Sequence, residues 1–287
     1  MGRNDECFCG SGKKVKKCHA EFNENSRAAN VLSLYNNIKR AIDRHYEVTG
    51  YKYPCREGCS ECCYDYFPIS DIEFDLITLE MGNWNSEEID DISKKTKIYW
   101  DKMMSINPEY TDNLEQMLIG RNSEQAIFKD IQFTFGGKEF PCLFLDERGK
   151  CKVCNSRPFM CRMYGVSYHE YEVTEENQIK AELYMRVLNY DENHNVCSKI
   201  GSNLEAKEWQ ADISKYNKDI LSLRVLKSPK YDFAVNRRTY PIIYWLYMAF
   251  YKYKSGLGIP NYEAKFEVSE NRYIDVMYEQ LIKKAGK

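Results

Sequence analysis

The chain has 287 residues, 43% of them hydrophobic and 14% aromatic, with 23 Tyr. That is enough apolar material for a packed core and excludes a globally disordered chain. Lys+Arg 41 against Asp+Glu 43 leaves a net charge of -2, which excludes a wholesale polyanion binder but permits a local basic patch. In chain order, Met1-Gly2-Arg3-Asn4-Asp5-Glu6 is polar, so no export signal is expected, and Glu6 stands where a myristoylation motif wants Ser or Thr. Residues 1–22 read as a small cysteine-rich module. A short linker around Asn23 to Arg27 follows, then one α-rich domain that fills residues 23–287. Leu34, Ile38, Ala41, Ile42 and His45 recur at helical spacing and predict an amphipathic helix over roughly 27 to 48. Ser70 with Glu73 makes a capping box after Pro68, and Gly82 stops the helix it opens. Ser86-Glu87-Glu88 starts another, with Ile89, Ile92 and Ile98 expected on one face, and Leu114, Met117 and Leu118 mark a shorter one. Strand signals are few: Phe140 to Leu145 and Cys151 to Cys154 flank Asp146–Lys150 as a hairpin. The tail offers helical stretches near 203 to 224, 241 to 253 and 268 to 284, with Pro241 at the first position of the second. The most apolar run, Pro241 to Tyr251, is far short of the ~20 residues of a spanning helix, so no membrane insertion is expected.

The 12 cysteines fall well below the roughly 8–10% of a disulfide-stapled mini-protein. A cytoplasmic, reducing location is the expectation, where clustered thiols bind metals or do redox chemistry. They are clumped: Cys7, Cys9 and Cys18; Cys55, Cys59, Cys62 and Cys63; Cys142, Cys151, Cys154 and Cys161; and Cys197 alone. Core packing uses cysteine as an isolated small hydrophobe and does not produce such clumps. Cys7-x-Cys9, eight residues, then Cys18-His19 supply four soft or borderline ligands, the number that tetrahedral zinc takes in a closed structural site. Lys13, Lys14, Lys16 and Lys17 can offset the net negative charge of three thiolates on Zn²⁺. So short a segment has no core of its own, and metal binding and folding are one event.

These residues closely resemble the SEC-C motif, the zinc-binding tail first recognised at the C-terminus of the SecA translocation ATPase. The resemblance assigns zinc to Cys7, Cys9, Cys18 and His19, and it implies docking on a protein or ribosome without naming the partner. Glu6 and Phe8 stand where the motif usually has proline, and neither touches a ligand.

Cys55-x3-Cys59-x2-Cys62 reproduces the spacing of radical S-adenosylmethionine enzymes. However, Glu61 replaces the usual aromatic residue, and the strand–helix rhythm of a barrel is missing. A better match takes in Cys63, Pro141-Cys142, Cys151 and Asn155-Ser156-Arg157-Pro158-Phe159-Met160-Cys161-Arg162. Together they resemble the YkgJ-type cysteine-cluster family, described as a zinc- or iron-chelating domain, over about Cys55 to Cys197, with Cys154 where that family usually has Tyr. The implied ligands are Cys55, Cys59, Cys62, Cys63, Cys142, Cys151, Cys161 and Cys197. All-sulfur ligation favours zinc, an iron–sulfur cluster or copper(I) over hard cations. Zinc and an iron–sulfur cluster stay open, with a slight lean to the latter. Adjacent Cys62 and Cys63 more naturally serve two metals or bridge. Arg157 and Arg162 flank Cys161 as natural charge compensators and donors to sulfur.

His194-x2-Cys197 and His169 have ligand-like spacing, and His45 reads as packed. The aromatic crowd Tyr240, Tyr244, Trp245, Tyr247, Phe250 and Tyr251 reads as a buried helix before it reads as a docking or base-stacking face, so no specific nucleic-acid binding is expected. Gly136-Gly137-Lys138 lacks the flanks of a phosphate loop. No catalytic residue stands out. The expected fold is mainly α, with irregular cysteine-rich metal-binding loops, a short β-hairpin and a small N-terminal zinc module. The expected function is metal binding, with a structural zinc module for docking and a multi-cysteine zinc or iron–sulfur centre. Two other readings stay open. One is a methyltransferase, because flagellin lysine N-methylases carry a similar cluster, or an iron–sulfur oxidoreductase; the other is a non-catalytic ribosome or translocation adaptor.

Overall fold

The computed structural model describes residues 2–20, 22, 26–52, 58–64, 68–109, 140–168, 209–226, 235–236 and 239–252. These residues are 58% helical. Cys55, Cys197, His169, His194, the helices predicted at 114–118 and 268–284 and the Gly136-Gly137-Lys138 turn lie outside them.

Helix α1 runs over Arg27–Thr49, capped by the Ser26 hydroxyl, which accepts the Ala29 N–H at 3.2 Å, and ended by Gly50 at φ 68°. Strand β1, Pro68–Ser70, leads directly into α2, Asp71–Met81, through the predicted Ser70–Glu73 capping box. Helix α3, Ser86–Ile106, begins at the predicted Ser86, with the Asn85 side chain as its cap. A loop hairpin at 140–154 holds one bridge, Leu145 to Cys151. It is followed by α4, Phe159–Met163, and β2, Ser167–Tyr168. Then come β3, Ala211–Asp212, and α5, Asn217–Arg224. The short strands β4, Val225–Leu226, β5, Val235–Asn236, and β6, Thr239–Pro241, precede α6, Ile242–Tyr247, which continues as a π-turn over Met248–Lys252. The strands pair two by two: β1 antiparallel with β6, β2 parallel with β3, and β4 antiparallel with β5.

Helix α2 is the centre of this arrangement. Buried on almost every face, it packs Ile72 and Leu76 into one cluster with α1, α4 and Ile220 of α5. It turns Phe74, Ile77 and Met81 into a second cluster with α3, the 140–154 loop and α6. The aromatic tail segment belongs to the same core. Tyr244 and Phe250 are fully buried, Trp245 Nε1 donates to the Ile69 carbonyl at 3.0 Å, and Tyr247 stacks on Trp100 at 4.1 Å. Pro241 stands at the N-cap of α6, one residue before the predicted place.

Ile98 departs from expectation: it is 63% exposed, while Ile89 and Ile92 are buried. Nine residues at about 100° each place it on the opposite side of α3 from Ile89. Thr96, Trp100 and Met103 complete the buried stripe, and Thr96 spends its hydroxyl on the Ile92 carbonyl at 2.7 Å. Among the described residues no helix is long and apolar enough to cross a membrane.

Candidate metal centres

Residues 5–7 and 13–15 run antiparallel as a minute ribbon: the Cys7 N–H donates to the Lys13 carbonyl at 2.8 Å and the Val15 N–H to the Asp5 carbonyl at 3.0 Å. Gly10 and Gly12, at φ 74° and 71°, make the reversal in a backbone region that a Cβ disfavours. A single 3-10 turn, Val15–Lys17, then brings Cys18 and His19 back to the first two cysteines. The ligand atoms of Cys7, Cys9, Cys18 and His19 all lie within 4.8 Å of one another. Cys7 Sγ is 3.1 Å from His19 Nδ1, and Cys9 Sγ is 3.6 Å from Cys18 Sγ. A tetrahedral ion with metal–sulfur bonds of about 2.3 Å sets sulfurs about 3.8 Å apart, and a sulfur and a ring nitrogen about 3.5 Å apart. The donor set fits such an ion with small adjustment.

Local chemistry supports the same conclusion. The His19 ring meets Phe22 edge-on at 4.7 Å and lies 5.3 Å from Phe8, which fixes its orientation. Burial lowers its pKa and so favours the neutral form that binds metals. Burial pushes the Cys7 thiol up to about 12. Burial also pushes Cys9 up, but hydrogen bonds from Ser11 and then from Cys7 and Cys18 bring it below its ordinary value. Ser11 Oγ also lies 3.2 Å from Cys18 Sγ, a contact that residue spacing did not reveal.

The module is seated on α1. Cys7 and Phe8 are buried in one cluster with Ala28, Val31, Leu32 and Tyr35. A Cβ on Gly10 would come 2.0 Å from Asn36 Oδ1, so glycine is needed there for approach as well as for backbone angle. The lysines Lys13, Lys14, Lys16 and Lys17 remain exposed.

The second set gathers from three segments. Residues 58–63 lie along the hairpin loop: the Cys142 N–H donates to the Cys63 carbonyl at 2.6 Å, and a Cβ on Gly149 would meet the Gly58 carbonyl at 3.2 Å. The 3-10 turn Glu61–Tyr64 carries Cys62 and Cys63. Cys62 is pushed up, first by its hydrogen bond with Cys63 and then by burial. The two adjacent sulfurs therefore share one region. Burial pushes Cys142 up to about 12, with Cys151 and Cys62 adding to it. Cys151 rises to about 11 by burial. Cys161 rises well above its ordinary value by burial, then through Cys142, Cys62 and Cys151. The thiols of Cys62, Cys142, Cys151 and Cys161 thus act on one another, and Cys59 acts on Cys62. Cys154 is exposed at the rim. Among the described residues every cysteine is a free thiol, and only the N-terminal set has three or more ligand atoms all within 4.8 Å of one another.

Two carboxylates of α2 hold the third segment in place. Glu80 accepts the Ser156 N–H at 2.9 Å, the Ser156 hydroxyl, and Asn155 Nδ2 at 3.3 Å. Glu73, buried, accepts from Ser70 N and Oγ, both at 2.8 Å, from the Tyr35 hydroxyl at 2.9 Å and from the Phe159 N–H at 2.7 Å. The sequence marks Glu73 only as a helix cap. Its second task, holding the start of the helix that carries Cys161, appears only when α1, α2 and α4 meet.

Fold and sites together define a metal-binding protein. Two family models match the chain: the SEC-C motif over residues 3–21, and the CxxCxxCC family, described as "Putative zinc- or iron-chelating domain", over residues 54–185. The chain thus carries a SEC-C match followed by a cysteine-cluster match, the order of the cysteine clumps in the sequence. The second match ends before Cys197. No curated protein and no solved structure matches the chain.

Proposed function

We propose that the protein holds one structural zinc ion through Cys7, Cys9, Cys18 and His19, and a separate multi-thiolate centre, zinc or iron–sulfur, through the second set of cysteines. The observation that carries the first part is four ligand atoms within 4.8 Å of one another. The second rests on the convergence of Cys62, Cys142, Cys151 and Cys161 around a half-buried arginine, Arg157, whose Nε is buried without a hydrogen-bond partner. A buried, unspent cationic donor beside protonated thiols is costly. It becomes favourable once metal binding turns the thiols into thiolates. Zinc there would be closed and structural, whereas an iron–sulfur cluster would supply electron transfer or redox sensing. Docking, in the cytoplasm, falls to the exposed lysine face of the module, since its Cys7–Phe8 face already packs on α1.

The test is elemental analysis and visible absorption of the anaerobically purified chain. Iron and sulfide with a broad charge-transfer band support the cluster, and a colourless protein with zinc beyond one equivalent supports the zinc centre. A protein with at most one equivalent of metal refutes the second centre.

A further inference from the structure

Two arginines flank Cys161 in sequence, and they are spent differently. The Arg162 guanidinium lies over the Tyr35 ring at 4.4 Å. Its Nε donates to the Arg157 carbonyl at 2.6 Å and its Nη2 to the Asn155 carbonyl. It ties the loop together, with Glu73 and Glu80 gripping the same loop from α2. The Arg157 backbone is therefore fixed on both sides, by Ser156 and Phe159 as well as by its own carbonyl.

The Arg157 side chain is spent differently. Its Nε is buried and makes no hydrogen bond. Burial would lower its pKa, yet Cys154, Cys161, Cys151 and Cys62 hold it above its ordinary value, so those sulfurs are its charge environment. Arg157 in turn acts on Cys62, Cys151 and Cys161.

Building on the second metal centre proposed above, we infer that Arg157 is its positioning cation: the Nε–H donates to a metal-bound thiolate sulfur and the charge offsets the excess negative charge of the thiolates, while Arg162 spends its donors on the loop. Cys154 and Cys161 also feel the Arg162 charge. Four thiolates on a divalent ion leave a charge of about −2, which a low-dielectric site bears poorly without a cation. Donors to metal-bound ligands tune affinity by roughly 10–100-fold. The two arginines therefore have opposite signatures. Arg157 is a burden on the metal-free protein and an asset to the loaded one, whereas Arg162 supports both.

The test uses the full chain, with cobalt(II) as the probe under anaerobic conditions and a competing chelator, the N-terminal site serving as internal reference. Arg157→Gln should weaken cobalt binding at the second centre roughly 10–100-fold. It should also shift the sulfur-to-cobalt charge-transfer band, and leave the unfolding temperature of the metal-free protein unchanged or higher. Arg157→Lys should recover part of the affinity through its charge, without restoring the band. Arg162→Lys should lower the unfolding temperature with and without metal. If Arg157→Gln binds cobalt like the unaltered chain with an unshifted band, or lowers the metal-free unfolding temperature as Arg162→Lys does, the inference is wrong. If the unaltered chain takes up no cobalt beyond one equivalent, the second centre itself falls and the inference with it.

Discussion

The two cysteine sets reach their geometry by different routes. In the N-terminal set, Cys7 to His19 span 13 positions, two glycines with positive φ fold the chain back, and the four ligand atoms come within 4.8 Å of one another. In the second set, Cys62 and Cys142 are 80 positions apart, and helix packing, two α2 carboxylates and a pair of facing glycines have to bring the thiols together. A local site depends on few residues and on the ion itself. A dispersed one inherits its precision from the core and fails when a remote support is removed. The two are nonetheless neighbours through α1. Asn36 meets Gly10 of the module, and the adjacent Tyr35 bonds Glu73 and lies under Arg162.

The sharpest way to break the contrast is to remove the local ligands. The double change Cys18→Ser, His19→Ala should abolish one equivalent of metal and unfold residues 2–20, since structural zinc supplies on the order of 10 kcal/mol to such modules. Metal analysis should still find the remaining equivalents. Their parallel loss would show that the two sets are one unit.

Next in size is Glu73→Ala. It strands the Tyr35 hydroxyl and the Phe159 and Ser70 N–H groups in a buried site, at a cost of about 3 kcal/mol. Denaturant unfolding should show that loss, and metal analysis should show the second centre depleted with the N-terminal metal retained. An unaltered second centre would mean that α4 is held without it.

Gly10→Ala tests the seat of the module. The backbone at φ 74° makes it unfavourable by about 1–2 kcal/mol, and the added methyl also displaces Asn36. Adding Asn36→Ala should relieve the second penalty and not the first. Full rescue, read from the unfolding temperature, would assign the whole effect to the contact.

The smallest effect is one of pH. In the metal-free protein the Cys142 thiol is raised to about 12 and Cys151 to about 11, above the ordinary 9.0. The folded chain therefore keeps protons that the unfolded chain releases. That stabilising contribution is complete below pH 9 and is lost as pH rises towards 11 and 12. Thermal unfolding of the metal-free protein should accordingly fall across that window. The loaded protein, whose ligated thiolates have no proton to lose, should stay flat, and an equal fall in both would dissociate these thiols from the metal.

Much of this was legible in residue order. The span of α1, the capping box of α2, the hairpin loop and the meeting of Cys7, Cys9, Cys18 and His19 all follow from short, continuous stretches of sequence, where covalent connection limits the outcomes. Ile98 misled because an apolar residue was read without its helical phase. The two arginines read as equivalent in sequence because adjacency to Cys161 says nothing about which partners each finds. Residue order carries the chemistry: which thiols are available, and that a soft or borderline metal suits them. Packing sets their company: α2 lends Glu73 and Glu80 to the cysteine loop, Arg162 is spent on Tyr35 and two loop carbonyls, and Arg157 Nε is left unpaired with the sulfurs as its charge environment. The reason is physical. Ligand type is a property of single side chains, while proximity across 80 residues exists only when buried apolar faces have fixed the helices that carry them.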